Sequence, residues 1–384
     1  MVRKICVVIT ARPSYSRVRT VLEAIRAHTG VELQLVVAAS ALLSRYGDTE
    51  STIEQEGFHI DRRVYMIMEG ENLVTSAKST GLGLSELATV FNDLQPDVVV
   101  TVADRFETMA TAVAASYLNL PLAHIQGGEV TGSIDEKVRH AITKLADLHF
   151  VASLKAAERV IKMGERPASV FVTGCPSIDV VKTALDNNDG DFDVFTRYAG
   201  VGPIFDLSNG YIVVMQHPVT TEYDESRQHV ESTLQAVTDV DVPTLWFWPN
   251  VDAGADGVSE GIRAFREIHV PKNMHFFKST APEDFIHILN RSDCIVGNSS
   301  AGIRECAYLG LPTVNIGSRQ TGRDRGTNVT DVDYDRDEIR EAIVACRNKG
   351  RIEPDFLYGV GGAGQQIADL LAEVPLTIEK RLAY

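Results

Sequence analysis

The sequence predicts an α/β protein made of two Rossmann-like, doubly wound domains, and three observations carry that prediction. Runs of β-branched and other apolar residues at 5–9, 33–38, 98–102 and 122–125 are continuously hydrophobic, the pattern of strands buried on both faces of a parallel sheet. After a stretch with few strand signals around 186–209, the rhythm restarts at 211–215, 244–248, 274–277, 294–296 and 312–316. The chain has 384 residues, 44% hydrophobic and 23% charged, which is longer than one ordinary core supports. The expected division is 1–178 for the first domain, 179–362 for the second, and 363–384 for a C-terminal helix that packs back on the first.

Composition removes several classes of function. A formal net charge of -15 and a sequence pI near 5.1 leave no basic field for nucleic acid or an anionic membrane surface. No apolar run is long enough to span a bilayer, and the N-terminus leads straight into a strand pattern, so a cytoplasmic protein is expected. Cys6, Cys175, Cys294, Cys306 and Cys346 lack paired spacing and read as buried thiols, with neither a disulfide framework nor a zinc site. The G-x-G-x-x-G and P-loop fingerprints are absent. The glycine-rich run at 359–364 follows no strand and reads as a turn before the last helix.

In doubly wound sheets, ligand groups collect where strands end and helix N-termini present free N–H groups. In the second half, Gly297-Asn298-Ser299-Ser300-Ala301-Gly302-Ile303-Arg304-Glu305 reads as a strand end, a small-residue turn and a helix start. Small side chains let backbone N–H groups approach phosphate oxygens, Ser299 and Ser300 add donors, and Glu305 is placed to accept ribose hydroxyls. An ordinary helix cap fits the same spacing. Gln216-His217-Pro218-Val219-Thr220-Thr221 and Pro249-Asn250-Val251-Asp252-Ala253-Gly254 follow strands on the same rim, and Pro218 keeps the His217 backbone out of the helical region. Gly317-Ser318-Arg319-Gln320-Thr321-Gly322-Arg323 brings cations suited to a diphosphate.

In the first half, Asp104-Arg105 follows a buried strand and His124-Ile125-Gln126-Gly127-Gly128-Glu129 ends another. Ser133-Ile134-Asp135-Glu136-Lys137-Val138-Arg139-His140 reads as a helix start, with Ser133 as N-cap, Glu136 completing a capping box, and Asp135 and Arg139 on one face. Capping does not account for Asp104, Glu129 and Asp135 beside several arginines. Carboxylates gathered in a cleft separate their pKa values and suit general acid and base work.

Taken in order, Ala103-Asp104-Arg105-Phe106-Glu107, the stretch 124–145, Gly174-Cys175-Pro176-Ser177, and 216–221, 249–254, 297–305 and 318–323 resemble the UDP-N-acetylglucosamine 2-epimerase family over nearly the whole chain. The hydrolysing branch, which feeds sialic-acid-type sugars, is the nearer one. The resemblance implies two Rossmann-like domains as in GT-B glycosyltransferases, with the nucleotide held mainly by the second and the chemistry in the cleft. It implies an anti elimination that removes the C2 proton and expels UDP from C1, leaving a 2-acetamidoglycal that water converts to free N-acetylmannosamine. No metal or redox cofactor is implied.

Residue by residue, the resemblance makes Asp104 and Asp135 acid/base candidates, with Glu129 in reserve, Gln126 as a binding group and Arg139 supporting the acidic cluster. It places Arg12, Arg105 and the catalytic candidate His217 near the diphosphate, and Ser299, Ser300 and Glu305 on the phosphates and ribose. Ser16, Asn250, Asp252, Gly302 and Arg323 complete the expected substrate-binding set. The chain departs from the family pattern at Gln126 (commonly glutamate), Ser14 (commonly acidic), Ala41 (commonly histidine), Val102-Ala103 (commonly His-Gly) and Gly359-Val360-Gly361 (commonly Gly-Asp-Gly). These positions surround the expected sugar pocket and leave room for a modified sugar such as diacetylbacillosamine. The expected partners are a UDP-sugar substrate and further copies of the chain, as a homodimer or homotetramer through the helical stretches 74–94 and 137–148. A non-hydrolysing epimerase, a GT-B glycosyltransferase and a non-catalytic sugar-nucleotide sensor are the competing readings.

Overall fold

The computed structural model describes residues 2–44, 47–70, 72–131, 134–187, 192–249 and 254–384. It divides into one unit comprising Met1–Glu129, Ile134–Asp179 and Tyr358–Tyr384 and a second comprising Val130–Ser133 and Val180–Leu357.

The first unit is built on seven strands, β1 (Arg3–Ile9), β2 (Val31–Ala38), β3 (Arg62–Val64), β4 (Val98–Val102), β5 (Leu122–Ile125), β6 (Leu148–Val151) and β7 (Val170–Val172). They form one parallel sheet in the order β3-β2-β1-β4-β5-β6-β7. The two-residue side-chain period of β1 explains why a continuous apolar run is needed there. Ile5, Val7 and Ile9 enter the core beneath the helix Arg12–Ala27, whereas Cys6 and Val8 enter the core with Leu87 and Phe91 of the helix Leu73–Leu94 on the other face.

The helix Ala363–Glu373 belongs to this same core through Ile367, Ala368 and Leu371, each fully buried and each larger aliphatic side chain contributing about 2 kcal/mol. Its first turn packs where a Cβ on Gly364 would lie 2.6 Å from the Thr20 carbonyl carbon, so a larger residue is excluded. The return to the first unit begins at Tyr358, five residues before the expected 363. The Cys175 N–H donates to Tyr358 O at 2.8 Å, and a Cβ on Gly359 would lie 3.0 Å from Gly174 Cα, so this approach requires glycine.

The second unit repeats the plan with β8 (Gly200–Val201), β9 (Ile212–Met215), β10 (Thr244–Phe247), β11 (Met274–Phe277), β12 (Cys294–Gly297), β13 (Thr313–Ile316) and β14 (Val329–Val332), in the order β14-β13-β12-β9-β10-β11-β8. All pairings are parallel except β8 with β11. The stretch 186–209, read as having few strand signals, supplies one short antiparallel edge. All five cysteines are buried and free, and no described helix is long and apolar enough to cross a membrane.

A buried ion cluster fastens the C-terminal segment to the first unit. Glu165, 3% exposed, accepts Lys144 Nζ at 2.5 Å, His149 Nε2 at 3.1 Å, and Lys380 Nζ. Lys380 also reaches the carbonyl of Ala146, just past the helix Ile134–Leu145, where a cation complements the dipole. Burial alone would raise the Glu165 carboxyl, but the bonds from His149, Lys144 and Lys380 outweigh it and bring it down to about 2. Its folded value lies below the unfolded value of about 4.3, so its stabilisation is present above the unfolded value and is lost as pH falls toward 2. Urea denaturation at pH 7 and pH 3 should show Glu165→Gln about 2 kcal/mol less stable than the wild type at pH 7, with the gap narrowing at pH 3. An equal gap at both pH values would remove the carboxylate from this role.

Candidate active site

Each sheet reverses its direction of winding once. In the first, the chain fills β2 and β3 on one side of β1 and then crosses to β4, so the switch point lies between the carboxyl ends of β1 and β4. Arg12 follows β1; Asp104 and Arg105 follow β4. In the second sheet the switch lies between β9 and β12, where Gln216-His217 and Asn298-Ser299 emerge.

In the first unit, Arg139 assembles the acidic groups. It is 1% exposed on the helix Ile134–Leu145, and its guanidinium pairs with Asp104, donates to Glu136 Oε2 at 3.2 Å and donates to the carbonyl of Glu129 at 3.0 Å. Glu136 also accepts His140 Nε2 at 2.8 Å. Its expected capping partner Ser133 lies outside the described residues. The Glu129 side chain is 3% exposed beside this group, and Asp135 stands half-buried on the first turn of the same helix. Arg105 is held by the buried Glu107, with 3.2 Å between Nε and Oε2. Arg12 is exposed at the first position of the helix Arg12–Ala27, and the Ser16 hydroxyl donates back to its carbonyl at 3.2 Å.

Backbone strain marks the same rim. Ala103 and Gln126, which directly follow β4 and β5, have φ of 63° and 66°, the left-handed region that non-glycine residues rarely occupy. The ladder enforces both, because Ala103 N–H donates to Ile125 O and Gln126 N–H to Phe150 O, each at 2.9 Å. His124 adds a third constraint that sequence reasoning did not single out. Its Nε2–H donates to Ala103 O at 2.8 Å while Nδ1 accepts the Thr143 hydroxyl at 3.2 Å, and burial pushes its pKa down to about 3, so it is a neutral brace. The signal available was a polar residue inside an otherwise apolar strand run. The Gln126 amide donates to Cys175 Sγ at 2.9 Å, and Cys175 Sγ meets Ser177 Oγ at 3.1 Å.

In the second unit a neutral side chain does the assembling. Asn298, fully buried, accepts His217 N–H at 2.7 Å and donates to His217 O at 2.8 Å, extending the contact between β9 and β12 past their ends. Its own carbonyl accepts Gln320 Nε2 at 2.9 Å and Arg319 Nη1 at 3.2 Å. One asparagine thus ties three strand-end loops, a role the sequence reading did not assign. Gly297 permits the approach: its φ is 125° and a Cβ would lie 2.2 Å from Met215 O.

Ser299 caps the following turn by accepting Ala301 N–H at 3.3 Å, and Ser300 is partly exposed beside it. Glu305 Oε2 is enclosed with no donor among the described residues. Arg323, 6% exposed, donates to Gln320 Oε1 at 2.8 Å. Gly302, also in the expected binding set, is engaged in packing. Its N–H goes to Ser299 O, its carbonyl accepts Thr313 Oγ1 at 2.9 Å and Asn328 Nδ2 at 3.0 Å, and a Cβ would lie 2.5 Å from Thr313 Cγ2, which excludes a larger residue. Asn250 and Asp252 lie outside the described residues. Among the described residues no group of three metal-ligating side chains converges.

Two doubly wound units with polar loops at their switch points define an α/β protein of the class that takes ligands at the carboxyl ends of its strands. The chain belongs to the UDP-N-acetylglucosamine 2-epimerase family, whose sequence model matches residues 23–372. It is 34% identical to a hydrolysing UDP-N,N'-diacetylbacillosamine 2-epimerase of Legionella pneumophila, over 98% of this chain and 97% of that one. It is 28% identical to a UDP-N-acetylglucosamine 2-epimerase of Neisseria meningitidis, over 97% and 95% of the two chains. The fold matches the crystal structure of a UDP-GlcNAc 2-epimerase from Neisseria meningitidis bound to UDP-GlcNAc, with a TM-score of 0.79 and 18% identity over 96% of this chain and 99% of that one.

Two outcomes follow from the first unit's geometry. Arg139→Met leaves two carboxylates around a buried apolar group and should cost about 3 kcal/mol in urea denaturation. Adding Asp104→Asn should recover part of that loss, and strictly additive losses would mean the two side chains are not coupled. Ala103→Gly relieves the left-handed strain and should raise stability by about 1 kcal/mol; a loss instead would contradict the φ given to Ala103.

Proposed function

We propose that the chain is a hydrolysing 2-epimerase acting on a UDP-2-acetamido sugar of the diacetylbacillosamine type. The observation that carries this reading is the full-length 34% identity to the Legionella enzyme of that activity.

In the proposed mechanism a carboxylate of the first unit takes the proton from C2 of the sugar. The C–H electron pair forms the C1=C2 bond as the C1–O bond to the diphosphate breaks, and UDP leaves with the electrons of that bond. Water then adds to the glycal, its oxygen to C1 and a proton to C2 from the opposite face, giving UDP and the free 2-epimer. Asp135 is the proposed proton carrier, because it is half-buried on the helix that Arg139 anchors, with Glu129 in reserve. Asp104, paired with Arg139, holds that helix turn against β4 and stabilises charge beside the reacting carbon. Gln126 lacks a titratable proton and serves as a binding group.

The leaving diphosphate needs positive charge and N–H donors, which His217, Ser299, Ser300, Arg319 and Arg323 of the second unit are assigned to supply. The enclosed Glu305 Oε2 is assigned to a ribose hydroxyl, a donor that would satisfy it. No step calls for a metal or redox group.

The test is incubation with UDP-N,N'-diacetylbacillosamine in D2O, followed by phosphorus and proton NMR, with UDP-GlcNAc as comparator. The expected products are free UDP and a free sugar carrying one deuterium at C2. Asp135→Asn should lower kcat by at least 100-fold with KM changed little. Product still attached to UDP would replace this reading with the non-hydrolysing reaction, and an unchanged kcat would remove Asp135 from the proton-carrying role.

A further inference from the structure

Two loops of the second unit carry groups assigned above to the diphosphate: residues 216–222 after β9, with His217, and residues 317–323 after β13, with Arg319 and Arg323. Asn298 joins them close to the strand ends. One point of attachment leaves two loops free to turn about it, and groups that must meet a ligand together need their support fixed more closely than that.

Glu222 supplies a second attachment at the outer end. It closes the His217 loop, where its N–H donates to Val219 O at 2.9 Å. One oxygen of its carboxylate accepts the hydroxyl of Ser318, at the start of the arginine loop, and the other accepts the Tyr334 hydroxyl at 3.3 Å, just after β14. Burial and the Glu222 charge both push the Tyr334 phenol up, so it remains a donor. The His229 ring, on the helix Ser226–Val240, lies flat on the Tyr334 ring, with centroids 3.5 Å apart and planes within 3°. A Cβ on Gly317 would lie 2.2 Å from Tyr334 Cζ, so the arginine loop starts directly against that ring. Its far end is held separately, because Arg325 pairs with Asp331 of β14 and donates to the carbonyls of Gln320 and, at 3.1 Å, Arg323.

We propose that Glu222 is a positioning residue for the diphosphate: by pinning the end of the His217 loop to Ser318 and Tyr334, it sets the geometry between His217 and the arginines. The proposal rests on the reading of these loops as the diphosphate site. Both partners of Glu222 are hydroxyls, which donate to a carboxylate and turn to accept from an amide, so the link needs the shape of the side chain and not its charge. Removing either end of the Glu222–Ser318 contact releases the same constraint, so the two losses overlap.

The test is calorimetric titration of the full chain with UDP. Glu222→Ala should weaken UDP at least tenfold, Ser318→Ala should weaken it as well, and the double variant should lie within threefold of Glu222→Ala. Glu222→Gln should stay within threefold of the wild type, a rescue that a purely electrostatic role does not give. Each variant should keep the wild-type circular dichroism spectrum at the titration temperature, which separates lost binding from lost folding; if Glu222→Ala unfolds, Ser318→Ala against Glu222→Gln carries the same comparison. Unchanged affinity in Glu222→Ala or Ser318→Ala, losses that multiply in the double variant, or Glu222→Gln as weak as Glu222→Ala would each overturn the proposal. Absence of UDP binding to the wild type at millimolar UDP would instead remove the diphosphate reading itself, and the positioning role with it.

Discussion

The first unit's candidate site depends on one buried cation. Arg139 is sealed from water, and a guanidinium keeps its charge under all accessible conditions, so anions and carbonyl dipoles must converge on it. Those that do come from three elements: Asp104 after β4, Glu136 on the helix Ile134–Leu145, and the carbonyl of Glu129 in the loop after β5. The strained backbone at Ala103 and Gln126 is the other side of the same requirement, because the turns after β4 and β5 must present their residues at a rim that the parallel ladder has already fixed. The opposite end of that helix is held independently by Lys380 and Lys144 on Glu165, so the acid-bearing helix is anchored at both ends.

The second unit solves the equivalent assembly problem around a neutral side chain. Asn298 uses both ends of its amide on His217 and its own carbonyl on Gln320 and Arg319, so three loops meet on a neutral group. The difference suits the proposed division of labour. In that proposal the carboxylates gathered around a fixed cation serve proton transfer, whereas the loops joined by an amide offer hydroxyls, N–H groups and arginines to a diphosphate.

The fold was legible in most of the strands buried on both faces, β6 being the exception. β1, β2, β4 and β5, and the strands from β9 to β13, announce themselves as continuous apolar runs because helices cover both sides. The strands that escaped notice follow other rules. β3 is Arg-Arg-Val with two exposed positions at the sheet edge, β14 is an edge strand with two exposed positions, and β6 carries His149, tolerated in the core because Glu165 accepts its N–H. The loops of the candidate site were equally legible, since each follows a strand. Their pairings were not. Asp104 and Arg139 are distant in sequence and meet only because β4 and β5 are neighbours, whereas Glu136 meets Arg139 and His140 along its own helix at i+3 and i+4, a local spacing that was read only as half of a capping box.

Gln126 illustrates how a departure from the family pattern acquires a physical context. Its backbone occupies the left-handed region, it is 2% exposed, and its amide nitrogen is committed as a donor to Cys175 Sγ, which in turn meets Ser177. An ionised carboxylate at this position has no proton to donate to sulfur, so the contact would have to reverse, with the Cys175 S–H donating to it. The amide and the thiol therefore belong together, and position 126 is fixed as a directional group that cannot carry protons. In the proposed mechanism proton transfer then falls to the carboxylates, among which Asp135 combines partial exposure with a helix Arg139 holds in place.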